Sequence, residues 1–131
     1  MTREDKELLL KDICARLPYG VIIKDTYSGH YGKLVKIGLS FCYFVSKLNS
    51  NTLDVNHFYV KPYLRPRSSM TEEEVKEFAA LENINVFGGD IKIIGVKLSI
   101  DAIDWLNTHH FDYRGLIERG LALEAPEGMY N

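Results

Sequence analysis

The sequence predicts an α+β fold: an N-terminal helix, a small curled antiparallel sheet or Src-homology-3-like barrel, then helices plus one further strand. Three observations predict it. Apolar residues recur at helical spacing at the start, short β-branched and aromatic runs alternate with turn residues in the middle, and helix caps return after Arg67. With 131 residues, 46% of them hydrophobic, the chain can form a single domain. Its β-rich half is 18–67 and its mainly helical half is 68–131.

The first helix is predicted over residues 3–16. Thr2 is placed to cap it, and acidic residues in the first turn suit the positive end of the helix dipole. Pro18 ends it, because a residue that precedes proline disfavours the helical backbone. The apolar stripe at three- and four-residue steps consists of Leu9, Leu10, Ile13, Cys14 and Leu17.

Short strands are predicted next, because the hydrophobic pattern changes from helical to extended. The strand-forming runs are Val21–Ile23, Leu34–Ile37, Phe41–Leu48 and Leu53–Val60. Turn residues separate them, which predicts a meander that curls on itself. Pro62 and Pro66 are expected to mark the exit from the sheet, since proline cannot donate to a central ladder.

A second helix is predicted over 72–82. Thr71 and Glu74 have the spacing of a capping box, and Met70 and Val75 have the spacing of the hydrophobic staple across it.

The remaining elements are a strand and two short helices. Ile91–Leu98 has the alternation of a further strand, and Ser99 is placed to cap a third helix. Asp112 is expected to cap a fourth helix that Gly120 closes, with Phe111 and Leu116 as its staple. Pro126 and Gly128 predict a frayed end.

Three segments carry a resemblance to a known family: MTREDKELLLKDICARLPYGV, KPYLRPRSSMTEEE and IDWLNTHHFDYRGLIERGLALEAPEGMYN. The sequence resembles a family of small uncharacterised proteins from gut Bacteroidetes genomes, often in phage or mobile-element neighbourhoods. The family has no assigned activity, so the resemblance implies a phage-related accessory protein and no mechanism.

Charge is distributed unevenly along the chain. Residues 18–67 hold seven Lys and Arg against two Asp, or +5, whereas residues 68–131 hold five against twelve, or −7. This pattern predicts either an anionic ligand for the first half or attraction between the two halves.

The candidate binding segment is Lys61-Pro-Tyr-Leu-Arg-Pro-Arg67. Lys61, Arg65 and Arg67 can neutralise phosphates, and Tyr63 can stack on a base. Both arginines are expected to be exposed, so that reversing their charge leaves the fold intact. The alternative is a linker fixed by its prolines, with Tyr63 packed under the second helix.

Catalytic, metal and cofactor sites are not predicted. The four histidines His30, His57, His109 and His110 lack ligand spacing, and His109 and His110 suit a helix C-terminus. Cys14 and Cys42 are expected to be buried free thiols. Asp101, Asp104 and Asp112 fit helix starts better than a catalytic pair. The start of the chain is a helix opening and no apolar run is long enough for a bilayer, so we expect a cytoplasmic protein without a membrane partner.

The sequence therefore predicts a non-catalytic binding module, for nucleic acid or a partner protein. The alternative is a structural or oligomerising interaction protein. An enzyme whose site is built from the four histidines and the carboxylates is the third class. The sequence does not predict the oligomeric state.

Thr71→Ala is expected to lower the free energy of unfolding by about 1 kcal/mol, because it removes the acceptor for an orphan backbone N–H at the helix start. Chemical denaturation of the wild type and the variant measures this. An unchanged midpoint would mean that the second helix begins elsewhere.

Overall fold

The computed structural model describes residues 1–82 and 99–130, and in this part of the chain it has an α+β fold. The helices are α1 (Arg3–Arg16), α2 (Glu72–Glu82) and α3 (Ile100–Thr108). The strands are β1 (Ile22–Asp25), β2 (Tyr31–Ile37), β3 (Phe41–Ser46), β4 (Thr52–Asn56), β5 (Val60–Leu64) and β6 (Leu123–Glu124). Single 3₁₀ turns cover Leu17–Tyr19 and Arg67–Ser69. The predicted strand Ile91–Leu98 lies outside the described residues. None of the described helices is long and apolar enough to cross a membrane.

Helix α1 has the predicted bounds, and its cap is confirmed because the Thr2 hydroxyl accepts from the Asp5 backbone N–H at 3.1 Å. Its buried face differs from the predicted stripe. The buried residues of α1 include Asp12 and Arg16 as well as Leu9 and Ile13. Cys14 is exposed, so the prediction that it is buried is wrong. The Arg16 Nε donates to the Asp12 carboxylate at 2.8 Å, and this pairing makes the burial of both charges possible.

The sheet has the strand order β4-β3-β2-β1-β5-β6 and is open, with β4 and β6 at its edges. All pairs are antiparallel except β5 with β6, which is parallel. Strand β6 was not predicted, because two residues carry too little pattern. Of the predicted curled sheet or barrel, the strand pairings show the curled sheet, because no pairing among the described residues joins β4 to a strand other than β3.

The curl follows from the length of the chain between β4 and β5. Asn56 ends β4 and Val60 begins β5, so four residue steps, about 14 Å of extended chain, must join them. Four strand spacings separate the two strands in the sheet, which is about 19 Å if the sheet is flat. The sheet must therefore curl. Gly32 fits this geometry, because a Cβ there would collide with the Val45 carbonyl of β3.

Pro62 lies inside β5 and does not mark the exit from the sheet, so that expectation is wrong. It pairs with Ile23 of β1. On its other side β6 pairs only with Tyr63 and Leu64, so no ladder bond is required from the missing proline N–H.

Two buried clusters hold the elements together. The larger fills the inner face of the curl and includes Leu9 and Ile13 of α1, Phe44 of β3 and Leu116. The smaller lies between α2 and α3 and is built around Phe78, Leu106 and Phe111.

The predicted caps of α2 and α3 are confirmed. The Glu74 N–H donates to the Thr71 hydroxyl at 3.2 Å, and the Thr71 N–H donates to the Glu74 carboxylate at 3.0 Å, which closes the capping box. Met70 packs against the cluster that contains Val75, as the staple requires. The Ser99 hydroxyl accepts from the Ala102 N–H at 3.2 Å.

The predicted fourth helix is wrong, because the segment from Asp112 to Gly120 forms turns. Gly115 has a φ of 73°, a left-handed conformation that interrupts a helix. The Asp112 carboxylate accepts from the N–H groups of Leu116 and Ile117, both at 3.0 Å, and so closes a turn. Phe111 and Leu116 do not form a staple, since they belong to different buried clusters.

Tyr130 is fixed in the structure, and the expectation of a frayed end is wrong for this residue. Its hydroxyl donates to the Tyr63 carbonyl at 2.6 Å and accepts from the Ile22 N–H at 2.8 Å. The register of β1 and β5 places Ile22 opposite Tyr63, so the hydroxyl takes the place of a ladder hydrogen bond. The ring stacks on His110 with 3.6 Å between centroids.

Tyr130→Phe is expected to lower the free energy of unfolding by about 1–3 kcal/mol, because the ring remains while the N–H and the carbonyl lose their shared partner. Urea denaturation measures the loss, and amide exchange at Ile22 localises it. Tyr27→Phe is the matched control, since that side chain is 80% exposed. Equal midpoints for the Tyr130 variant and the wild type would contradict the bridging role.

Candidate nucleic-acid interface

The outer face of the sheet carries a row of cations and aromatic rings across its central strands. Lys24 of β1 lies directly opposite Tyr31 of β2 on one side and Lys61 of β5 on the other. Residues opposite each other in a sheet share a face, and successive residues alternate between faces. Ile23 and Pro62 therefore point to the core, and this row points outward.

Tyr63 extends the row along β5. It lies two residues after Lys61 on the same face, and its ring meets the Tyr31 ring at 6.2 Å between centroids. Ile22 belongs to the same face of β1 and is only 5% exposed. The two tyrosines thus lie beside a buried aliphatic side chain, which favours a fixed position for their rings.

Strands β2 and β3 continue the same chemistry. Lys33 lies opposite Ile22, and Lys36 lies opposite Tyr43 with its ammonium 5.4 Å from the ring centroid. A β-bulge between Leu34 and Lys36 turns Lys36 outward. We call this surface the lysine–tyrosine face, and it consists of Lys24, Lys33, Lys36 and Lys61 with Tyr31, Tyr43 and Tyr63.

The charges of this face are not neutralised within the described residues. None of the ion pairs of residues 1–82 and 99–130 includes one of its four lysines. Lys24 and Lys61 are like charges placed directly opposite each other, which is unfavourable for a sheet. An anion between them would remove this repulsion.

Arg65 does not belong to the face and is not a free cation, so the expectation that it is exposed is wrong. Its guanidinium makes two hydrogen bonds to the Glu74 carboxylate, at 2.7 and 2.8 Å, and lies 4.1 Å from the centroid of the Phe111 ring. Its backbone also bonds to His110 and Asp112. Arg65 therefore joins the sheet to the helices, and reversing its charge would damage the fold.

Glu74 is held ionised by the same contacts. Hydrogen bonding to Arg65, with further help from the Thr71 backbone, lowers the pKa of Glu74 to about 2. One carboxylate thus serves the capping box of α2 and the link to Arg65 together.

Arg67 lies in the 3₁₀ turn beyond β5, where it is half-buried and not exposed as expected. It forms no ion pair among the described residues. A cleft of about 600 Å³ opens beside this turn, between the start of α2 and residues 124–130. The charged residues that line this cleft are three glutamates, Glu74, Glu124 and Glu127, and one arginine, Arg65, whose charge is neutralised by Glu74. This cleft is acidic and does not suit a phosphate.

The histidines do not converge on one site. His109 Nδ1 lies 3.5 Å from Glu74, and His110 stacks on Tyr130. His57 is buried in the β4–β5 turn, and His30 is half-buried just before β2. Burial, with Arg16 nearby, lowers the pKa of His110 to about 4. In the part of the chain that the structure describes, no three His, Cys, Asp or Glu side chains are arranged to hold a metal ion.

Cys42 is buried, as predicted, and burial raises the pKa of its thiol to about 11. Such a thiol is a poor nucleophile at neutral pH.

Of the four predicted binding residues, the structure places Lys61 and Tyr63 on one face and separates Arg65 and Arg67 from them. The partners of Lys61 and Tyr63 on β1, β2 and β3 are not among the residues predicted from the sequence. The available signal was the alternation of polar and apolar residues in Tyr-Gly-Lys-Leu-Val-Lys-Ile (31–37), but the bulge shifts its phase.

Comparison with known proteins adds no relative: no family model, no curated protein and no solved structure matches this chain.

Glu74→Gln is expected to make the stability less dependent on pH in acid. The Glu74 pKa is about 2 in the folded protein and 4.5 as its ordinary value, so its contribution is complete above pH 4.5 and is lost as the pH falls through 2. Urea denaturation at pH 7 and at pH values between 4.5 and 2 should show a gap between wild type and variant that narrows in acid. Glu73→Gln, at an exposed position in the same turn, is the control. A constant gap would contradict the assignment.

Proposed function

We propose that this chain is a non-catalytic module that binds single-stranded nucleic acid on its lysine–tyrosine face. The observation that carries the proposal is the cross-strand row of Tyr31, Lys24 and Lys61, with Tyr63 beside it. It joins cations to aromatic rings on a rigid sheet, which is the combination that single-strand binding surfaces use.

The arrangement of charge supports an anionic ligand. Lys24 and Lys61 repel each other in the free protein, and a phosphate between them turns that repulsion into two favourable contacts. Lys33 and Lys36 lie further along the face and are exposed, so they can follow the backbone of a longer strand.

The aromatic rings favour unpaired bases over a duplex. A base is able to stack on a tyrosine only where its π-face is free, and in a duplex both faces are covered. Stacking also tolerates every base, so binding is expected to be largely independent of sequence.

Several finer statements belong to the same proposal. The curl and the short β4–β5 connection support a partly open Src-homology-3-like barrel. The resemblance to phage-associated proteins of gut Bacteroidetes supports an accessory role in a mobile element. The free thiols Cys14 and Cys42 support the cytoplasm, where thiols stay reduced.

A partner protein is the second candidate, because apolar side chains protrude from the β2–β3 and β3–β4 turns. Leu39 is fully exposed and Leu48 is 72% exposed. Such side chains are compatible with a protein contact or a self-association surface. Light scattering over a range of concentrations distinguishes self-association from binding of a different partner.

Lys24→Glu/Lys61→Glu is expected to abolish binding of labelled single-stranded oligonucleotides. With about four phosphate contacts, wild-type affinity should fall by roughly 3 log units per log unit of salt, and duplexes of the same length should bind more weakly. Fluorescence anisotropy at low and moderate salt measures both effects.

Lys11→Glu/Lys76→Glu is the matched control, because it makes the same charge change at exposed positions on α1 and α2. Equal losses in both variants would mean that net charge alone controls binding. No binding by folded wild type at low salt would reject nucleic acid and leave the partner protein. Arg67→Glu, tested alongside, shows whether the turn beyond β5 contributes.

A further inference from the structure

Three exposed aromatic side chains cluster where β1 ends and β5 begins. Tyr27 lies in the β1–β2 turn, and Phe58 and Tyr59 lie in the β4–β5 turn. The rings of Tyr27 and Tyr59 are 5.3 Å apart between centroids, and those of Phe58 and Tyr59 are 6.3 Å apart. We call these three residues the aromatic knuckle.

The knuckle is held in place by hydrogen bonds of the two turns. The backbone N–H and the hydroxyl of Thr26 both donate to the Tyr59 carbonyl at 2.9 Å, so the turns are joined directly. The Asp25 carboxylate accepts from the Tyr27 N–H at 2.9 Å, and the Asn56 side chain accepts from the Phe58 N–H at 2.9 Å. The rings are therefore carried on ordered backbone, which lowers the entropic cost of binding to them.

The rings are nevertheless open to solvent. Tyr27 is 80% exposed, Phe58 61% and Tyr59 43%. An exposed aromatic cluster on a rigid support is typical of a contact surface.

The surroundings of the knuckle indicate what contacts it. Lys24 precedes Tyr27 by three residues and Lys61 follows Tyr59 by two, so the knuckle adjoins the central cation pair of the lysine–tyrosine face. The nearby carboxylate of Asp25 is turned into its own loop, where its oxygens accept from Tyr27 and Ser28. Aromatic rings next to cations that form no ion pair in the described part of the chain suit a nucleobase with its phosphate better than an apolar peptide.

We propose that the aromatic knuckle is a stacking site for one unpaired base at the end of a strand that lies on the lysine–tyrosine face. This inference rests on the proposed function and deepens it. The phosphate that joins this base to the rest of the strand lies between Lys24 and Lys61, and the base stacks on Tyr27. The bound nucleic-acid strand then has a fixed end at the knuckle, beyond Tyr31 and Tyr63 in the middle of the sheet.

The length of the bound strand follows from this placement. Along β5, Tyr59 and Tyr63 are four residues apart, about 13 Å. A strand that reaches the knuckle must cross this distance, and small single-strand-binding barrels cover about 4–16 nucleotides. One end of the oligonucleotide should lie at the knuckle in every complex.

The test compares Tyr27→Ala with Tyr27→Phe in the full chain, using a labelled single strand of about eight nucleotides, a length within the range of such domains. Tyr27→Ala should weaken binding about 5- to 150-fold, the worth of one base–aromatic stack, whereas Tyr27→Phe should bind as the wild type does. The slope of affinity against salt should not change, because no phosphate contact is lost. Leu39→Ala removes a fully exposed side chain from a different turn and serves as the control.

Photo-cross-linking adds a second measurement that does not depend on affinity. An oligonucleotide with 5-iodouracil at one end should cross-link to Tyr27 or Tyr59, and the same label at the other end should not. Unchanged affinity of Tyr27→Ala, while Lys24→Glu/Lys61→Glu abolishes binding, would overturn the knuckle and leave the face intact. Cross-links from both ends that fall only on Tyr31, Tyr43 or Tyr63 would also overturn it. A wild type that binds no oligonucleotide would reject the proposed function and the knuckle with it.

Discussion

The shortness of the β4–β5 connection is the constraint on which the rest of the fold depends. Four residue steps from Asn56 to Val60 cannot bridge the width of a flat sheet, so the sheet curls and acquires an inner and an outer face. Helix α1 packs its leucine and isoleucine into the inner face. Successive residues of each strand alternate between the two faces. On the central strands, the outward-facing positions hold lysines and tyrosines. The chemistry of the face is thus a consequence of the same geometry that forms the core.

A second dependence joins the sheet to the helices through Phe111. The buried Arg16 donates to its carbonyl at 2.7 Å, and Arg65 lies over its ring. The arginines come from opposite ends of the β-rich part of the chain, and each is neutralised by a carboxylate, Asp12 or Glu74. Removing either carboxylate would leave a guanidinium unpaired in a partly or fully buried place, which is costly. This explains why Arg65 has a structural role, although Lys61, four residues earlier in the same charged segment, forms no ion pair within the described residues.

The sequence predicts local structure well and long-range pairing poorly. The bounds of α1 and α2 follow from caps, proline and apolar spacing, all of which act within a few residues, and the structure agrees. The prediction of a fourth helix was wrong because Gly115 adopts a left-handed conformation that interrupts a helix, although Asp112 has the residue type of a helix cap. The sequence predicts Pro62 at the exit from the sheet, but β5 can accommodate this proline because β6 pairs only with Tyr63 and Leu64. No local signal shows how far β6 extends.

The candidate site could be predicted only in part for the same reason. Lys61 and Tyr63 stand in one segment, whereas Lys24 and Tyr31 reach them only through strand register.

The uneven charge of the chain has two possible explanations, attraction between the two halves and an anionic ligand, and each explanation applies to different residues. Attraction between the halves accounts for Arg65, which pairs with Glu74 across the division. It does not account for Lys24, Lys33, Lys36 and Lys61, which form no ion pair within the residues described and share one face. Solvated lysines scattered over a surface need no explanation, but two placed opposite each other on paired strands work against the sheet that holds them. Natural proteins keep such unfavourable arrangements where function needs them, and a bound phosphate is the simplest partner that makes this one favourable.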